Sequence, residues 1–294
     1  MVYYTSLNNY LKKKYGQKVY KLALSCATTC PNRDGTRGVG GCIFCSGGSG
    51  DFAESALLSV DEQIENAKSR ILKKTDARKF IAYFQSYTST YAKIEVLEKM
   101  FFSAAKRDDI VELSIATRPD CLSSDVLNLL ERVAKIKPVT VELGLQTVHE
   151  ETAVLINRQS ALSEFDTAVK CLKKIGVAVV MHVILGLPHE TEDMMLETVR
   201  YVVAARADGI KLQLLHILKG TKLEEMYKKG EVVPFTMDEY FNILEKCLKL
   251  IPKDMVVHRL TGDGARSKLI APLWSLDKKT VINALARVCL PYDL

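Results

Sequence analysis

The apolar positions of this chain fall into two alternating patterns. Runs dense in Val, Ile, Leu and Phe occupy residues 19–24, 80–85, 110–116, 139–145, 177–185, 209–215 and 255–260, and their length and composition predict strands. Between them, residues 59–74, 92–106, 123–136, 162–175, 191–205, 222–229, 238–250 and 278–288 read as helices. Local chemistry supports the boundaries. Ser59 stands three residues before Glu62 as in a capping box, Asp125 lies in a first turn, and Gly176 follows the 162–175 helix. Six strand–helix units in succession, with near-continuous Val/Ile/Leu strands, predict an α/β fold on a parallel sheet with right-handed crossovers. The regular alternation predicts a partial (β/α)6 TIM-like barrel; a doubly wound open sheet is the alternative. The expected organisation is an N-terminal segment over 1–18, a core barrel over 19–235 and a short C-terminal extension over 236–294.

In such a barrel, chemistry belongs at the C-terminal ends of the strands. Those ends carry residues 25–45, Gln85 to Thr88, Thr117 to Asp120, Gln146-Thr147, Leu185 to Pro188 and His216, so nearly all the unusual polar residues gather at one end of the sheet. Composition is that of a globular protein: 294 residues, 48% hydrophobic and 26% charged. It excludes a disordered chain, a collagen and a coiled coil. The net charge of +6 suits a phosphate-bearing partner and equally a lysine-rich solvated surface. The longest apolar run, residues 177–188, is interrupted by His182 and falls short of the ~20 residues of a spanning helix. The first residues lack the basic-then-apolar order of a secretion signal, so a cytoplasmic protein with no membrane partner is expected.

Cysteine placement is the sharpest signal. Four of the eight cysteines, Cys26, Cys30, Cys42 and Cys45, fall within twenty residues, in a polar, glycine-rich loop after the first predicted strand. In a reducing cytosol such a cluster reads as metal-binding or catalytic. Two chemistries compete. Four thiolates close a structural zinc site. Three thiolates hold an iron–sulfur cluster and leave one iron open to another ligand.

The loop Cys30-Pro-Asn-Arg-Asp-Gly, eleven residues between Cys30 and Cys42, and the pair Cys42-x2-Cys45 on a βα pattern resemble the radical S-adenosylmethionine (radical SAM) superfamily. They most resemble a small bacterial group akin to the catalytic subunit of Elongator. The usual superfamily spacing is Cys-x3-Cys-x2-Cys, and the long gap is typical of this group. The resemblance implies a partial barrel of the radical SAM type. It implies a [4Fe–4S] cluster on Cys30, Cys42 and Cys45, with Cys26 a non-ligand and SAM chelating the open iron. One-electron cleavage of SAM yields a 5′-deoxyadenosyl radical, and the protein supplies placement and shielding. Flavodoxin or ferredoxin is the implied type of electron donor.

Further roles follow from the same resemblance. Gln85 and Ser86 would hold the SAM amino group, and Thr117 ends a strand at the cofactor. Glu142-Leu-Gly-Leu-Gln146-Thr followed by Asn157-Arg158-Gln159 resembles a segment in which the glutamine and arginine contact SAM, with the planar fork of Arg158 suited to the carboxylate. His182-Val-Ile-Leu-Gly186-Leu-Pro188 resembles the segment at the ribose and adenine, where Gly186 permits close approach. Cys121 is a candidate hydrogen-atom donor or a buried thiol. His216, Lys219, His258, Arg259 and Asp263 are candidates for substrate contact, with His216 carried as catalytic. The basic stretch Lys68 to Lys79 is either an RNA-backbone surface or a solvated helix face. The implied substrate is the C5 side chain of the wobble uridine in tRNA. The chain is shorter than an enzyme with Elongator's acetyltransferase domain, so the expected reaction reworks an existing side chain, 5-carboxymethylaminomethyluridine towards the aminomethyl form. The alternatives are a small metabolite or porphyrin-like substrate, and a non-catalytic four-cysteine zinc module that binds RNA or a partner.

Overall fold

The computed structural model describes residues 2–26, 28–47 and 52–292. The chain opens with β1 (Val2–Ser6) and α1 (Leu7–Tyr15). A run of βα units follows: β2 (Tyr20–Leu24), α2 (Val60–Leu72), β3 (Phe80–Phe84), α3 (Ile94–Ala105), β4 (Ile110–Thr117), α4 (Ser124–Ala134), β5 (Val139–Gln146), the short α5 (Glu150–Leu155), α6 (Leu162–Lys174), β6 (Ala178–Leu185), α7 (Glu192–Ala204) and β7 (Gly209–Leu214). The remainder comprises β8 (Ile217–Leu218), α8 (Lys222–Lys228), α9 (Met237–Leu250), β9 (Val256–Arg259), β10 (Leu269–Ala271), α10 (Lys278–Val288) and β11 (Cys289–Pro291). The expected caps are present: Ser59 and Glu62 bond reciprocally at the start of α2, and Gly176, at φ 72°, ends α6.

Among the described residues nine strands form one sheet in the order β11-β1-β9-β7-β6-β5-β4-β3-β2, and its pairings are parallel. The core β2–β7 is thus the six-strand series expected, extended at the β7 edge by β9, β1 and β11. β8 and β10 pair antiparallel in a separate hairpin.

The sheet is strongly curled. The Lys211 Nζ on β7 donates to the Tyr83 hydroxyl on β3 over 3.1 Å, although the two strands are four steps apart, about 19 Å in a flat sheet. Side-chain alternation then divides the strands. One set, including Leu22, Phe84, Ile115, Leu143, Met181 and Leu212, packs outward under the helices in one apolar core. The other set, Lys21, Tyr83, Ser114, Glu142, His182 and Lys211, faces a polar lumen. The N-terminal end of the barrel meets α1, whose Lys14 pairs with Glu112 at 3.3 Å.

Candidate functional site

The cysteine loop is folded by its own polar residues. The carbonyl of Pro31 accepts from the amides of Arg37 and Gly38, and that of Asn32 from the Gly41 amide. The Arg33 guanidinium reaches across the loop to the Cys45 carbonyl at 2.6 Å. It packs so closely on Gly41, at φ 79°, that a Cβ there would stand 2.8 Å from Nε. Asn32, fully buried, lies 3.7 Å from the Cys42 sulfur and donates to the Asn157 carbonyl at 2.5 Å. Asn157 in turn donates to the carbonyls of Val39 and Gly41. The Asn157-Arg158-Gln159 segment is therefore the brace of the cysteine loop, a role that residue type alone does not reveal. Gln63, also fully buried, makes a second brace by bonding both the amide and carbonyl of Ser25.

Around this loop the mouth of the barrel is unusually strained. Tyr87, Gln146, Asn157, Gln159 and His189 all have positive φ, and such residues cluster where function over-determines the backbone. Gln146 folds over Gly144, and its buried Oε1 has no hydrogen-bond partner. Arg158 is buried, and its Nε and Nη1 are spent on the carbonyls of Ser160, Leu145 and Thr147. Only Nη2 is unpartnered, so the two-pronged carboxylate pairing expected of its fork is not available. A buried guanidinium must satisfy its donors, and the turn after β5 supplied the acceptors.

The other expected residues are also near the mouth. The Ser86 hydroxyl bonds that of Ser25 at 2.8 Å, joining the ends of β3 and β2 beside half-buried Gln85. Thr117 bonds Thr90 at 2.6 Å. Gly186 has φ 91°, and the close approach it allows is taken by the Phe235 ring, which would lie 3.1 Å from any Cβ placed there. Cys121 lines a cleft of about 940 Å³ with Pro31, Arg37 and Cys171 and lies close enough to Cys30 for the two charges to interact, while burial pushes its thiol up to about 12.

Deeper in the lumen lies a charged floor. Glu142, fully buried, accepts from Lys21 at 2.7 Å, from Ser114 at 2.7 Å, from the Nε2–H of His182 at 2.8 Å, and from Lys211. Burial opposes its charge, yet Lys21, Lys211 and His182 hold its carboxyl well below the usual range. Burial pushes Lys211 down to about 7; Lys21 and Arg259 add to this against Glu142. His182 and His216 are each pushed down to about 4, chiefly by burial. His216 is buried at the end of β7, and its Nε2 has no partner. Sequence reading missed Lys21 and Lys211 as site residues; the signal available was a lysine within an otherwise apolar strand.

Both histidines are thus expected to stay neutral between pH 5 and 8. Their folded pKa lies below the unfolded 6.5. The unfolded chain therefore takes up protons first as pH falls from about 6.5 to about 4, and each histidine removes up to about 1.4 kcal/mol of stability per pH unit in that window. Histidine ring-proton shifts followed by NMR check this; a midpoint near 6.5 for either residue contradicts it.

The residues fit a thiolate-ligated cluster. Burial raises the Cys42 thiol to about 11, with Cys45 and Cys30 close enough to add to the shift and Arg118 close enough to oppose it. All three are free cysteines. Among the described residues no three His, Cys, Asp or Glu side chains close on one point as a single-ion site requires. Cys26 lies in the apolar core, its thiol pushed to about 12 by burial and bonded to Ser89. A four-cysteine zinc site therefore lacks its fourth ligand.

Known proteins resemble this chain over most of its length. The radical SAM superfamily model matches residues 27–202, and the radical SAM C-terminal domain model matches residues 207–288. The chain is 45% identical over 283 residues to the Bacillus subtilis (strain 168) protein YtqA, covering 96% of this chain and 88% of that protein. It is 28% identical over 156 residues to a tRNA uridine(34) acetyltransferase of Methanocaldococcus infernus, covering 52% of this chain and 29% of that one. The solved structure of Methanocaldococcus infernus Elp3 lacking residues 1–46 shares the fold, with TM-score 0.68 and 18% identity over 92% of this chain and 63% of that chain. The chain belongs to the radical SAM superfamily. It is a radical SAM enzyme, of a family that binds a [4Fe–4S] cluster and S-adenosylmethionine.

Proposed function

We propose that this enzyme modifies the C5 side chain of the wobble uridine in tRNA, converting 5-carboxymethylaminomethyluridine towards 5-aminomethyluridine. The observation that carries this reading is the similarity of 156 residues to a protein named for acting on tRNA uridine 34. In this reading Cys30, Cys42 and Cys45 hold the cluster, and Gln146 Oε1 and Arg158 Nη2, the buried atoms without partners, face SAM. Ser86, Gln85, Thr117, His182 and Gly186 complete the surroundings of the cofactor. When bound, the cluster and SAM supply a 5′-deoxyadenosyl radical for hydrogen abstraction. The chain's part is to seat the base, exclude water and keep His182 and His216 uncharged beside the reacting side chain. A low-potential donor such as flavodoxin or ferredoxin provides the electron in a cytoplasmic setting.

Of the two readings of the basic stretch Lys68 to Lys79, its contacts favour the solvated helix face. Lys68 pairs with Glu65 and Asp109, and Arg70 with Glu54. Residues 73–79 lead into the N-terminal end of β3, the end of the barrel remote from the cysteine loop. The basic side chains placed at the mouth are instead exposed Lys219, Lys222 and Arg266, around the β8–β10 hairpin, and these suit anticodon-loop phosphates. An unpaired anticodon base leaves its stack at low cost to enter the lumen.

5′-Deoxyadenosine formation is therefore expected only with tRNA that carries the carboxymethylaminomethyl group. tRNA affinity is expected to fall by about one log unit per log of salt for each phosphate neutralised. Comparing modified nucleosides in tRNA from cells with and without the enzyme, and assaying turnover on each purified tRNA, checks both. Turnover without RNA refutes the reading in favour of a small-molecule substrate.

A further inference from the structure

Arg259 is a cation without a counter-ion. β9 pairs with β7 through Gly209↔Val256 and Ile210↔Val257, then slips so that Lys211 stands opposite Arg259. The slip leaves His258 as the extra residue of a bulge, a device that re-aims side chains beside sites. The His258 ring packs over Gly209, 2.9 Å from where a Cβ would stand. Arg259 lies close enough to Tyr83, His182, Lys211 and His216 for its charge to act on all four.

Among the described residues the Arg259 side chain makes no hydrogen bond and no ion pair. The carboxylates beside it are committed elsewhere. Glu142 serves Lys21, Lys211 and His182, and Asp263 pairs with Lys278 at 3.2 Å. On the mouth side of Arg259, within reach of its charge, the buried Nε2 of His216 is also unpartnered, and a Cβ on Gly262 would stand 2.7 Å from that ring. Lys21, Lys211 and Arg259 against the single carboxylate of Glu142 leave the floor short of negative charge. A half-buried guanidinium with no counter-ion is a ready seat for an anion.

We propose that Arg259, with the free Nε2 of His216 beside it, anchors a carboxylate on the substrate's reacting side chain. The planar guanidinium matches a carboxylate in two-pronged geometry. The nucleoside part of the substrate rests on the function proposed above; the anion anchor rests on Arg259 alone.

The experiment measures binding of anticodon stem-loop RNAs carrying 5-carboxymethylaminomethyluridine or 5-aminomethyluridine at the wobble position to the SAM-loaded holoenzyme by calorimetry. The same enzyme is titrated with N-benzylglycine, which carries the secondary ammonium and carboxylate without a nucleoside. Wild-type enzyme is expected to prefer the carboxylated RNA by roughly 10–150-fold. Arg259→Gln erases that preference with cluster content and SAM affinity unchanged, and Arg259→Lys retains part of it. The proposal is overturned if Arg259→Gln weakens SAM equally, weakens both RNAs equally, or leaves the preference intact. If neither RNA binds but N-benzylglycine does, in an Arg259-dependent way, the uridine reading falls and the anion anchor stands. If none of the three binds, both fall.

Discussion

Replacing Cys42 with alanine is expected to abolish iron binding, whereas Cys26→Ala should retain about four irons per chain. Cys30→Ala and Cys45→Ala are expected to match Cys42→Ala. All four cysteines lie close in sequence, so the contrast is a strong test of geometry. Cys30, Cys42 and Cys45 sit on a loop cross-tied by Arg33, Asn32 and Asn157, and their charges influence one another. Cys26 is at the end of β2 with its thiol in the apolar core, bonded to Ser89. Burial raises the Cys42 thiol as well, so what separates Cys26 is its place: Cys30 and Cys45 act on Cys42, whereas among the described residues no other cysteine acts on Cys26. Alanine there should cost about 1 kcal/mol of stability and leave the cluster intact. Iron and sulfide assays on anaerobically reconstituted variants read the result. Equal loss of iron from Cys26→Ala and Cys42→Ala would falsify the ligand assignment.

The strands β2 to β7 were legible to within a residue or two because each is a short apolar run between helices with clear caps. β1 and β11 were not. Val2–Ser6 takes its strand form from pairing with Cys289–Pro291 and with Val256-Val257, partners that lie over 240 residues away and leave no local trace. The cysteine loop could be read because thiol chemistry tolerates few alternatives. Its braces could not, since Gln63 and Asn157 act only after distant segments meet. Arg158 shows the limit of reading chemistry from residue type: a guanidinium suits a carboxylate, but three backbone carbonyls reached it first. The basic stretch before β3 left two readings open because linear charge says nothing about which end of a barrel it occupies.

Glu142→Ala is expected to be the most destabilising single change in the lumen, at about 3–5 kcal/mol. One buried carboxylate meets four donors: Lys21, Lys211, Ser114 and His182. Its removal strands two ammonium groups in a low-dielectric space. Lys211, only 4% exposed, can escape part of that cost by giving up its proton, because burial already holds it near 7. That escape has a pH signature. In the wild type the unfolded lysine binds a proton that the folded one lacks between about 7 and 10.5, so stability rises with pH across that window and is flat in this respect below it. Without Glu142 the folded value drops further, and the window extends below 7. The gap between wild type and Glu142→Ala should therefore widen as pH falls from 8 to 6. Glu142→Leu combined with Lys211→Met, which removes charge from both sides, should recover much of the loss, since apolar replacement of a buried pair is often neutral. Urea unfolding of the three proteins at both pH values reads these differences. A loss under about 1 kcal/mol for Glu142→Ala, or a gap that narrows towards pH 6, would show that the lumen is wetter and its charges less coupled than the hydrogen-bond network around Glu142 requires.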